Sequence, residues 1–84
     1  MARWLPVTGD VAGALEAELA RELPPGHALR GRPVQAVARR DDRDDVAYRV
    51  DGERLCIVHL SYRAETDPRW PSFAFVVSLD DESD

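Results

Sequence analysis

The chain has no lysine, no asparagine, a single cysteine and a single methionine. It also has no apolar run approaching the roughly 18 residues of a membrane span. Each absence excludes something. Cys56 has no second thiol with which to form an internal disulfide, a cysteine zinc knuckle or a two-cysteine redox motif. Without lysine, all 11 basic residues are arginine, a bias that GC-rich coding explains more simply than phosphate recognition. The N-terminus lacks the basic-then-apolar pattern of a leader, so the expected location is the cytoplasm. A glycine-rich phosphate loop, a nucleophile elbow and a zinc-protease motif are all missing, and no cofactor or metal is expected.

What is present fits one thin-cored domain: 84 residues, of which 44% are hydrophobic. We place that domain at 1–79 and an acidic disordered tail at 80–84. The net charge of -5 is uneven, with 6 arginines against 4 acids in residues 1–40 and 5 against 12 in residues 41–84. A nucleic-acid footprint normally needs a basic face, so nucleic acid is not an expected partner.

Thr8 and Asp10 offer capping oxygens for a helix running from about Val11 to Leu23, which Pro24-Pro25-Gly26 ends by removing backbone donors. Val11, Leu15, Leu19 and Leu23 share a stripe with Ala12 that should face a sheet, with Glu16, Glu18 and Glu22 on its edges. Strands are expected from about Val34, Val46, Glu53 and Phe73. The expected fold class is α+β, one N-terminal helix packed on an antiparallel three- to four-stranded meander sheet.

Asp51-Gly52 predicts a two-residue type I′ hairpin turn. Taken literally, it sets Val50 opposite Glu53, Tyr48 opposite Leu55 and Val46 opposite Ile57. One face then carries Val46, Tyr48, Val50, Leu55, Ile57 and His59. The other carries Cys56, Val58, Leu60 and Tyr62, an apolar set that a single helix on the first face leaves uncovered.

The run from Gly31 to Pro71 contains ARRDDRDDV, a short hairpin, IVHLSY, and then Glu65, Pro68, Trp70 and Pro71. In that order these pieces resemble a family of small bacterial proteins of unknown function. The resemblance implies a bacterial origin and assigns no catalytic residue.

The acids at Asp41, Asp42, Asp44 and Asp45 superficially suggest a hard-cation site, but they lack the alternation, glycine and closing glutamate of an EF-hand loop. A solvated turn partly neutralised by Arg39, Arg40 and Arg43 explains them. His59 is a general-base candidate if a carboxylate orients it and a cavity admits substrate; the plainer expectation is a hydrogen-bonded strand-end histidine. Strand alternation puts Cys56 on the opposite face from His59, which disfavours a Cys–His dyad. Trp70, bracketed by prolines, reads as an interface anchor or as a lid over the core.

The function expected from sequence is therefore a non-enzymatic interaction or regulatory module that self-associates as a homodimer, or binds another protein, through Cys56, Val58, Leu60, Tyr62 and Trp70. One alternative is an acidic antitoxin or immunity-type protein with a basic partner. A small enzyme using His59 is another.

Overall fold

A computed structural model of the chain describes residues 3–79. It contains β1 (Trp4–Pro6), α1 (Gly9–Glu22), β2 (Val34–Arg40), β3 (Asp45–Val50), β4 (Arg54–His59) and β5 (Phe73–Val76). The strands form one antiparallel meander in chain order, and α1 packs against it. The expected α+β class is observed, with one strand more than expected. Trp4–Pro6, read from sequence as a lead-in, pairs with Arg40, Arg39 and Ala38. The tail expected over 80–84 lies outside the described residues. Among those residues no helix is long and apolar enough to cross a membrane.

Thr8 stands at the N-cap of α1, but its side chain makes no capping bond. At the other end the Leu23 amide donates to the Leu19 carbonyl, and the prolines that follow stop the helix. The inward stripe is rotated from the expected one: Val11 is 53% exposed, while Glu22 is fully buried alongside Ala12, Leu19 and Leu23. Polar bonds also tie helix to sheet. The Tyr48 hydroxyl donates to the Leu15 carbonyl at 2.7 Å, and the Ala36 amide donates to Glu16 Oε2 at 3.0 Å.

The hairpin turn matches its sequence signal, but the register does not. Asp51 and Gly52 both have positive φ, 56° and 75°, and the Glu53 amide closes on the Val50 carbonyl at 3.1 Å. Glu53 is then left as an extra residue before the ladder resumes. Val50 consequently faces Arg54, Tyr48 faces Cys56 and Val46 faces Val58.

This one-residue shift moves every β4 side chain to the other face. Val46, Tyr48, Val50, Cys56, Val58 and Leu60 now form a single buried set beneath α1 with Leu19, Leu23 and Leu29. The expectation that Cys56, Val58 and Leu60 form an uncovered face is corrected: they are the core. Leu55, Ile57 and His59, expected to join Val46 and Tyr48, lie on the opposite face. The shifted register wins because it gathers the apolar residues on one side, where one helix suffices to cover them.

A bulge in β2 has a related effect. Ala36 faces Tyr48 but Ala38 faces Ala47, so Val37 is the extra residue and the side chains beyond it change face. The open face consequently carries the small buried pair Ala38 and Ala47. Around them lie Trp4, with the Arg40 guanidinium 5.7 Å from its ring centre, and the half-buried Leu55 and Ile57. That face is covered by long side chains at its edges rather than by a second layer.

Candidate functional site

The register shift also builds the most distinctive surface feature. It sets Asp45 directly opposite His59, and His59 Nδ1 donates to Asp45 Oδ1 at 2.7 Å. Asp45 is nearly buried, whereas the His59 side chain is 56% exposed. The other ring nitrogen has no partner among the described residues. Beside this pair lies a half-open cleft of about 350 Å³ at the end of β4, lined by Asp44, His59, Ser61, Arg63, Glu65 and Trp70 among others. Trp70 is 49% exposed.

The loop that forms the far wall, residues 60–72, is pinned from the helical layer at two points. At the first, Glu22 Oε1 accepts from the Ser61 amide at 2.8 Å and from its hydroxyl at 3.1 Å, while Oε2 accepts from the Tyr62 amide at 2.8 Å. Burial is the main cause that raises the Glu22 pKa; a hydrogen bond shared with Glu18 adds to it, and the Ser61 and Tyr62 donors oppose it. At the second point, the Leu29 amide donates to His27 Nδ1 at 3.0 Å, which fixes the tautomer. Nε2 then carries the proton and donates to the buried Pro71 carbonyl at 2.9 Å. Gly26 turns the connector after Pro24-Pro25 at φ 89°, a conformation that strains any residue with a Cβ, and lies close to Pro68 of the loop.

Tyr62 sits in the left-handed region at φ 59°, where a Cβ is strained and glycine is not. The Glu22 bonds hold it there. Tyr62→Gly is expected to raise the unfolding free energy by about 0.5–1 kcal/mol and the β-branched Tyr62→Val to lower it by about 1 kcal/mol or more, in urea titrations of the two variants.

His59 thus meets both conditions set for a general base, an orienting carboxylate and an adjacent cavity. Among the described residues no nucleophilic side chain is hydrogen-bonded to it, although Ser72, whose carbonyl accepts from the His59 amide at 3.0 Å, shares a shallow depression with it. The Ser61 hydroxyl is committed to Glu22 and the Arg63 carbonyl. Cys56 lies on the opposite face, fully buried, and burial pushes its thiol up to about 11. Cys56 in the native protein should therefore stay unmodified by a disulfide-exchange reagent at neutral pH and react fully once the chain is unfolded. Rapid labelling of the folded protein would show that the strand face is open.

The aspartates of 41–45 point to separate partners. Asp41 accepts from the Arg3 amide, Asp42 pairs with Arg40 at 3.1 Å, and Asp45 holds His59. Among the described residues no group of three or more His, Cys, Asp or Glu converges as metal ligands would. Of the residues expected at an interface, Tyr62 and Trp70 remain at the surface, and Trp70 and the buried Leu60 line the cleft. Sequence reasoning missed Glu22 and His27. For Glu22 the available signal was its spacing, three residues beyond Leu19 on the same stripe; His27 carried none.

Comparison of the chain with protein-family models, with curated proteins and with solved structures finds no match.

Proposed function

We propose that the protein is a non-catalytic interaction module that receives a segment of a partner in the cleft between the end of β4 and the 60–72 loop. The observation that carries this reading is Trp70, a large half-exposed aromatic held at a cavity rim by a loop that Glu22 and His27 anchor from inside. A loop ordered in advance costs less entropy on binding, and an exposed tryptophan in such a setting has the character of a binding hot spot. A strained residue, Tyr62, maintained by a buried carboxylate supports the same reading. A fragment screen read by amide NMR tests it. Hits should cluster on Ser61, Arg63 and the Trp70 indole; hits confined to other surfaces would refute it.

A second reading, self-association, moves to the open sheet face. Leu55 and Val76 lie opposite each other there, and Val77, just past the end of β5, is 89% exposed. Light scattering should then report a dimer that Leu55→Asp converts to a folded monomer, and a wild-type monomer at all concentrations would end this reading. The small-enzyme alternative retains an oriented base in His59, to which no nucleophilic side chain among the described residues is hydrogen-bonded.

A further inference from the structure

We infer that the occupant of this cleft is a cationic side chain, an arginine or lysine in a basic segment of a partner protein, held against the Trp70 ring between the carboxylates of Asp44 and Glu65. The inference rests on the cleft being a binding site and names what it binds.

Charge decides the sign of the ligand. The lining carries Asp44 and Glu65 against the single guanidinium of Arg63, and Asp45 stands directly behind His59. The Asp44 carboxylate makes no ion pair with any described residue. Arg63 holds Glu65 only through a 3.4 Å contact, with the Arg63 side chain 78% exposed and that of Glu65 15% exposed. With its guanidinium out in solvent and the contact long, Arg63 can be displaced from Glu65 by an incoming cation. The third element is the aromatic. Indole is the best of the side-chain faces for a cation, and a carboxylate beside it adds direct attraction.

The wider field acts the same way. Over the described residues 41–79, the stretch that forms the cleft, there are 8 acids against 5 arginines, which raises the local concentration of cations and repels anionic segments. An anionic ligand would find Arg63 and His59, but it would also face Asp44, Glu65 and that net field. A cation complements the two carboxylates and the indole face, against the single guanidinium of Arg63.

The test is an amide and indole NMR titration of the full chain with a hexapeptide of alternating arginine and glycine, run beside the same peptide with citrulline in place of arginine. The arginine peptide should shift the Trp70 indole and the Ser61 and Arg63 amides saturably, and the citrulline peptide should not. The shifts should weaken with added salt, fall in the Asp44→Asn and Glu65→Gln variants, and disappear from the cleft amides in Trp70→Leu, with each variant giving a folded spectrum. Equal shifts from both peptides would overturn the cationic assignment while leaving the cleft as a binding site. Shifts elsewhere on the acidic surface, with Trp70 unmoved, would overturn it too. If the fragment screen also left the cleft untouched, the proposed function would fail with it.

Discussion

Replacing Val58 with aspartate should leave no folded protein at room temperature. Val58 is fully buried at the centre of the sheet, opposite Val46 on one side and Phe73 on the other. An unpaired carboxylate there costs about 4 kcal/mol or more, and a domain of 84 residues has only about 4–12 kcal/mol in total. Circular dichroism and the collapse of amide dispersion read the loss. Had Val58 lain on an exposed association face, the same substitution would have given a soluble, folded monomer. The outcome therefore separates core from interface at the residue where the two readings differ most.

The second large effect is at Glu22. Glu22→Ala strands the Ser61 and Tyr62 amides and leaves the Ser61 hydroxyl only the Arg63 carbonyl, and is expected to cost about 3 kcal/mol. Glu22→Gln keeps the shape, but an amide nitrogen cannot accept, so one of the amides loses its partner at a cost of about 1–3 kcal/mol. In both variants the Ser61 and Tyr62 amides should exchange with solvent faster than in the wild type. The strained Tyr62 backbone should relax with them.

The pH dependence has a definite sign. Because the Glu22 pKa is raised, chiefly by burial, the folded state binds that proton more tightly than the unfolded chain. Its contribution is complete below the ordinary carboxylate value and is lost as pH rises through the raised one. Glu18, lowered chiefly by Arg21, acts in the opposite sense, contributing above its ordinary value and losing that contribution as pH falls. Gln at position 22 removes the first dependence, so the stability gap between wild type and Glu22→Gln should narrow as pH rises. A gap that widened would mean the carboxylate is favoured ionised in the fold.

The elements legible in the sequence were those set by local chemistry. Two prolines and a glycine marked the end of α1, and Asp51-Gly52 marked a turn whose two residues both take positive φ. What a local rule did not determine was how many residues follow the turn before pairing resumes. The extra Glu53 is decided by the whole sheet, because only the shifted register places Tyr48, Cys56, Val58 and Leu60 together under one helix. Apolar patterning held more information about the strands than the turn did.

The site was legible in part for the same reason. Trp70 and His59 stood out by residue type, and both line the cleft. The Asp45–His59 pair depends on the shifted register and was out of reach without it. Helical spacing places Glu22 at the edge of the apolar stripe, where a glutamate is expected to reach solvent. A buried carboxylate is intelligible only once its three donors, about 40 residues away in the chain, are brought to it. β1 was too short for strand periodicity, and its pairing with β2 supplies what its three residues did not.

Everything above rests on the pairing of β3 with β4, and cross-strand backbone NOEs report that pairing directly. The structure predicts contacts between Tyr48 and Cys56, between Val46 and Val58, and between Asp45 and His59. Contacts joining Tyr48 to Leu55 and Val46 to Ile57 instead would restore the two-residue register, return Cys56 and Val58 to an uncovered face, and take the Asp45–His59 pair and its cleft apart.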